Sequence, residues 1–186
     1  MHKEYAKLRR QPFLVPLGLP VAGGLALLAL LAWAMLSAST TTVYVIRHAE
    51  PATREAGDPP LSPAGEMRAG RLRDAFGQSR AGLSLDGVVV TTARRTQETA
   101  RPLAAALGVP VIVMPGDDPD ALAQRALSEF RGGRVLVVGD AEMVPDVVKA
   151  LSGQAVPGPA ANDFGTMYVV ARPRYSPASV SVLRLP

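Results

Sequence analysis

The stretch VYVIRHAE, Val43 to Glu50, decides the fold class. Val43 to Ile46 is an apolar, β-branched run of the kind that fills a buried strand, and it stops at Arg47 and His48. A strand delivers its last side chains to one edge of its sheet, so a guanidinium and an imidazole arrive there together. Phosphoryl transfer onto histidine requires such a pair: the guanidinium grips phosphate oxygens with parallel N–H groups, and an imidazole nitrogen attacks phosphorus. An Arg-His dipeptide alone says little; its place after a strand says more.

Working outward, the chain alternates apolar β runs with helical stretches, the pattern of a mostly parallel sheet covered by helices on both faces. Strands are predicted at Val43 to Arg47, Gly87 to Thr91, Val109 to Met114 and Arg134 to Gly139. Helices are predicted at Pro63 to Phe76, Arg95 to Leu107, Pro119 to Phe130 and Met143 to Leu151. Ser62-Pro63 and Asp118-Pro119 are cap-plus-proline helix starts, and Gly108 and Gly153 are stops. Pro102 falls inside a helical pattern and predicts a kinked or shortened helix. Thr166 to Arg172 and Val180 to Leu185 read as an antiparallel hairpin at the sheet edge.

Ligands of open parallel sheets sit beyond the carboxyl ends of the strands. Three segments lie there: Arg47, His48 and Glu50 after the first strand, TTARRTQETA (Thr91 to Ala100) after the second, and GDAEMVP (Gly139 to Pro145) after the fourth. The second turns into a helix at Arg94 and Arg95, where free backbone N–H groups and the helix dipole favour an anion. Arg94 reads as a solvated helix residue, as do Glu66, Arg68, Arg71, Arg73 and Asp74 on the polar face of the preceding helix.

Taken together, VYVIRHAE, PLSPAGEMRAGRL (Pro60 to Leu72), TTARRTQETARPLA (Thr91 to Ala104) and VLVVGDAEMVPDVVKAL (Val135 to Leu151) resemble the successive motifs of the histidine phosphatase superfamily, the phosphoglycerate mutase-like enzymes. The resemblance implies a three-layer α/β/α fold. It makes His48 the phosphate acceptor and Arg47 and Arg95 the clamp on the phosphoryl oxygens, with Glu50 and Glu142 as further candidates for substrate binding and no metal or organic cofactor. The implied partner is a phosphorylated small molecule or a phosphoprotein.

One position departs from the pattern. Where the family continues Gly-His after the fourth strand, its second histidine donating to the phosphoryl group, this chain has Gly139-Asp140. Two like charges about 4 Å apart at an effective dielectric near 20 repel by roughly 4 kcal/mol. Losing one transition-state donor costs on the order of 100 to 1,000 in rate. An ionised Asp140 is expected to pair with Arg47 or Arg95 in place of substrate. A carboxylate kept protonated by desolvation would instead serve as proton donor, and Asp140, Glu142, Glu50 and the Asp117-Asp118 pair are the candidates. Two expectations follow: a weakly active phosphomonoesterase working through phosphohistidine at His48, or a catalytically degenerate relative that binds a phosphorylated ligand or a protein.

The N-terminal part sets the expected location. Phe13 to Leu36 carries no charged residue and is almost wholly apolar, long enough to span a bilayer although Pro16, Pro20 and Gly23-Gly24 weaken its first half. The expected organisation is a basic cytoplasmic segment at 1–12, a transmembrane signal-anchor helix at 13–37 and the phosphatase-like domain at 38–186. A cleaved signal peptide ending near Ser37-Ala38-Ser39 is the alternative. Four basic residues (Lys3, Lys7, Arg9, Arg10) precede the apolar run, and only Arg47 and Arg54 follow it closely, which places the N-terminus inside and the domain on the extracytoplasmic, periplasmic face. Of 20 basic and 16 acidic side chains, these four and Glu4 lie before the run, leaving 16 and 15 for the rest. That near-neutral balance argues against a nucleic-acid partner. The absence of cysteine excludes disulfides, zinc-thiolate sites and a thiol nucleophile.

Overall fold

A computed structural model of the chain describes residues 18–37, 40–53, 57–77 and 84–185. The chain divides into two units, the first ending at Ala38 and the second comprising Ser39–Pro186.

In the first unit, α1 (Gly18–Ser37) is a single helix of twenty residues. Its Val21, Leu25, Leu28, Leu31, Trp33 and Met35 side chains are all exposed. Apolar side chains point outward around the whole helix, so no polar face separates from an apolar one. The expected basic segment at 1–12 and the first residues of the expected span lie outside the described residues. Among the described residues no helix is long and apolar enough to cross a membrane.

The second unit carries β1 (Thr40–Arg47), α2 (Pro63–Gly77), β2 (Gly87–Thr91), α3 (Arg94–Leu107), β3 (Val111–Met114), α4 (Pro119–Glu129), β4 (Arg134–Gly139), α5 (Met143–Ser152), β5 (Thr166–Pro173) and β6 (Ser179–Arg184). The strands form one sheet in the order β3-β2-β4-β1-β5-β6. The first four are parallel to one another, and β5 and β6 are antiparallel to their neighbours. Consecutive strand residues face opposite sides, and this alternation builds two cores. Val43, Val45, Val135 and Val137 pack on one side with Leu122 and Ala126 of α4 and Val147 and Leu151 of α5. Tyr44, Ile46, Leu136 and Val138 pack on the other with Leu72 and Phe76 of α2 and Leu103 of α3. The result is the mixed three-layer α/β architecture expected from the sequence. Both clusters lie wholly within Ser39–Pro186, so this unit contains its own core and can fold alone.

β2 and β4 occupy the predicted residues, while two other elements differ from expectation for identifiable reasons. β1 begins at Thr40 because Thr40 to Thr42 pair with Pro173, Arg172 and Ala171 of β5; threonine is polar in composition but β-branched in shape. β3 starts only at Val111: the Val109 N–H is spent on the Ala104 carbonyl, finishing α3, and Pro110 has no N–H. α3 also continues through Pro102 to Leu107 rather than ending there.

Candidate active site

His48 is held from three directions. Its backbone N–H donates to the Gly139 carbonyl at 2.9 Å, which fastens the end of β1 to the end of β4. The next N–H, of Ala49, donates to Thr99 Oγ1 at 2.9 Å, and Thr99 in turn donates to the Arg95 carbonyl at 2.7 Å. The imidazole Nδ1 lies 2.6 Å from the Ala49 carbonyl. A carbonyl only accepts, so Nδ1 carries the proton and Nε2 of the neutral ring presents its lone pair. Burial lowers the His48 pKa from its ordinary value. The Ala49 carbonyl and Asp140 push it up, and Arg95 and Arg47 push it down, but burial is the largest influence and the net shift is downward, which favours the neutral ring.

Asp140 occupies the space in front of that lone pair. Its Oδ1 accepts from Arg95 Nε at 2.8 Å and from Nη2 at 2.5 Å, and the same oxygen stands 3.5 Å from His48 Nε2. The structure therefore brings His48, Arg95 and Asp140 together, and the guanidinium of Arg95 already holds an anion, supplied by the chain itself.

Arg47 points alongside. Its Nη1 donates to the Ala161 carbonyl at 2.9 Å and the Ala160 carbonyl at 3.3 Å, and its guanidinium carbon lies 4.2 Å from the centre of the Phe164 ring. That ring is itself 6.2 Å, centre to centre, from the His48 imidazole. The Arg47 charge is thus close enough to act on His48 while its guanidinium rests on the loop before β5.

Glu50 faces α2. Arg68 grips its carboxylate with Nε at 3.0 and 2.9 Å and Nη2 at 2.7 Å. Burial raises the Glu50 pKa, but the hydrogen bonds from Arg68 more than offset this and hold it below its ordinary value. Glu142 begins α5 as an exposed residue without a capping hydrogen bond and makes no ion pair with the cluster among the described residues. Arg94 is exposed and pairs with Glu98 at 2.7 Å. The backbone N–H of Arg94, part of the predicted anion-binding helix start, is already taken by Asp58 Oδ1 at 2.7 Å. Asp118 caps α4 through the Ala121 N–H. No group of three or more His, Cys, Asp or Glu side chains able to hold a metal occurs among the described residues.

Four contributors were not singled out from the sequence: Phe164 beneath Arg47, Thr99 behind Ala49, Asp58 on the α3 terminus and Arg68 on Glu50. A fifth is Gly65. A Cβ there would lie 2.3 Å from the Glu50 carbonyl oxygen, so only glycine lets α2 approach the site loop this closely.

Comparison with known proteins bears on this geometry. The family model described as histidine phosphatase superfamily (branch 1) matches residues 43–116, which include Arg47, His48 and Arg95 but stop short of β4 and Asp140. Among solved structures, the protein histidine phosphatase SixA complexed with tungstate superposes with a TM-score of 0.63 at 19% identity, over 77% of this chain and 96% of that one. The fold is that of the histidine phosphatases. A putative phosphohistidine phosphatase SixA from Nakamurella multipartitia shares this fold at TM-score 0.54 and 25% identity, over 80% of this chain and 98% of that one. A mycobacterial glucosyl-3-phosphoglycerate phosphatase complexed with VO3 shares it at 0.57 and 15%, over 78% and 99%. No curated protein sequence matches the chain.

Proposed function

We propose that the chain is a membrane-tethered phosphomonoesterase of the histidine phosphatase type, slow because its own Asp140 sits in the phosphate clamp. The observation that carries this reading is the arrangement of His48: Nδ1 bound to the Ala49 carbonyl, and Nε2 aimed at an anionic oxygen that Arg95 holds 3.5 Å away. A phosphoryl group replacing that carboxylate would meet a neutral nitrogen lone pair on one side and a guanidinium on the other.

In the first step a His48 Nε2–phosphorus bond forms while the bond from phosphorus to the leaving oxygen breaks, and that oxygen takes up a proton from solvent water. In the second, water attacks phosphorus and gives up a proton to solvent, the nitrogen–phosphorus bond breaks, and inorganic phosphate leaves with His48 neutral again. Arg95 binds the phosphoryl oxygens throughout, and the charge of Arg47 acts on them from its seat on the loop before β5. Relatives of this fold solved with tungstate and VO3, both tetrahedral or phosphate-like oxyanions, support an oxyanion ligand.

A degenerate, ligand-binding relative is the second reading, and the Arg95–Asp140 pair favours it. Residues 39–186 assayed with p-nitrophenyl phosphate separate the two. Turnover abolished by His48→Ala supports the enzyme. A silent parent that gains activity as Asp140→His supports the degenerate relative. If neither protein turns over or binds phosphate, both readings fail.

The membrane part of the proposal rests on the uncharged run from Phe13 to Leu36, the apolar circumference of α1 and the basic residues before it. The N-terminus lies in the cytoplasm and the domain outside. Full-length protein should stay in the membrane fraction after carbonate washing, and its domain should be cleaved by protease added to spheroplasts. Release by carbonate would refute the tether.

A further inference from the structure

The pole of the sheet where the chain enters the domain carries a charged surface that the phosphate chemistry does not use. Thr40 and Thr41 at the start of β1 pair with Pro173 and Arg172 at the end of β5. Around them, Arg131, Arg172 and Arg174 line one crevice with Thr41, Leu127 and Pro173, and no carboxylate is part of that lining. All three arginines are exposed. Arg172 is steadied by a 2.7 Å hydrogen bond from Nη1 to the Leu151 carbonyl. Arg174 lies 5.4 Å from the centre of the Tyr175 ring, which is 67% exposed. The nearby acids are occupied elsewhere: Glu129 pairs with Arg125 at 3.1 Å, and Asp86 accepts from the Arg134 N–H at 2.7 Å.

Three arginines lining one crevice, with an exposed tyrosine next to Arg174, are the composition of a surface that meets anionic headgroups. Arginine takes phosphate oxygens in pairs, and a tyrosine ring suits the boundary between apolar and wet layers. In the sequence, β1 is preceded by α1, whose described side chains are apolar on every side. We propose that Arg131, Arg172, Arg174 and Tyr175 form a docking surface for an anionic lipid bilayer.

This inference rests on the membrane tether proposed above and adds an orientation to it. β1 runs eight residues from this pole to His48 and Arg47. At ~3.3 Å per residue the phosphate site lies roughly 25 Å away at the opposite end of the sheet. A docked domain therefore opens its site to the aqueous phase, and its substrate is a soluble phosphorylated molecule or protein rather than a bilayer lipid.

The test uses residues 39–186 without the tether, so failure of the anchor and failure of the surface read separately. The fragment should sediment with vesicles of phosphatidylcholine containing phosphatidylglycerol and not with phosphatidylcholine alone. Binding should vanish near 1 M salt, where the Debye length is ~3 Å. Arg131→Ala/Arg174→Ala should weaken it by about 25-fold, from roughly 5-fold per basic residue, and Arg131→Lys/Arg174→Lys should restore most of it. Circular dichroism confirms that each variant is folded. No sedimentation by the folded parent overturns the proposal, as does unaltered binding by the alanine pair. Calorimetric binding of glycerol phosphate without vesicle binding would also overturn it, reassigning the crevice to a soluble anion.

Discussion

Removing the charge of Asp140 should speed phosphate-ester hydrolysis. Its Oδ1 accepts both Arg95 contacts, at 2.8 and 2.5 Å, and stands 3.5 Å from His48 Nε2, on the side from which phosphorus must approach. A phosphoryl oxygen about 4 Å from that carboxylate is repelled by roughly 4 kcal/mol at an effective dielectric near 20. The Asp140 side chain is 27% exposed and Arg95 offsets part of its charge, so the repulsion felt by substrate is smaller. A residual ~2.7 kcal/mol corresponds to about 100-fold in rate. Asp140→Asn and Asp140→Ala in residues 39–186 should each raise kcat/KM for p-nitrophenyl phosphate by about this factor. Asp140→His, which adds a donor as well, should gain a further 100- to 1,000-fold or so, mostly in kcat. If Asn and Ala variants that remain folded hydrolyse the ester no faster than the parent, the carboxylate is not the obstacle and the reasoning is wrong.

Three other outcomes follow from the same geometry. His48 is the only histidine of residues 39–186, so a single imidazole titration in proton NMR reports it, and burial should place its midpoint below the ordinary 6.5 or so. Because this folded pKa is depressed for a group that charges on protonation, the unfolded chain binds more protons as pH falls through about 6.5. Stability should therefore decline from there towards the folded midpoint, and His48→Gln should flatten that decline in urea titrations at successive pH values. Gly65→Ala should cost roughly 1 to 3 kcal/mol by urea denaturation, because the new Cβ meets backbone rather than a movable side chain. Arg68→Ala leaves the half-buried Glu50 carboxylate without its bidentate partner and should cost about 2 kcal/mol near neutral pH. The Glu50 pKa is lowered in the folded state, so this contribution is present above about 4.3 and fades as pH falls through the folded value.

What could be read from sequence divides along physical lines. β2 and β4 were legible because continuous Val/Leu runs buried on both faces leave no other interpretation, and the cap-plus-proline starts at Pro63 and Pro119 fix helix ends locally. The start of β1 at Thr40 is not legible locally, because its threonines gain strand character from β5, more than 120 positions away, which no local window contains. In the site, Arg47, His48, Arg95 and Asp140 stand at strand ends and within recognisable motifs, and the expectation that Asp140 pairs with a clamp arginine matches its contact with Arg95. Phe164, Thr99 and Asp58 act only through contacts across the fold. Arg68 occupies an ordinary polar helix position, and nothing in its neighbours signals that Glu50 waits opposite. The helix start at Arg94 shows the converse: its dipole favours an anion, and the chain's own Asp58 has taken that place.

The central claim is that His48 Nε2 accepts a phosphoryl group between Arg95 and Arg47. Residues 39–186 carrying Asp140→Asn, incubated with a small phosphoryl donor such as acetyl phosphate and quenched in alkali, should show phosphohistidine by phosphorus NMR. Peptide mass spectrometry should place it on His48, and adding His48→Ala should remove it. Hydrolysis that persists in the His48→Ala protein, or a phosphoryl group found on another residue, would contradict the account.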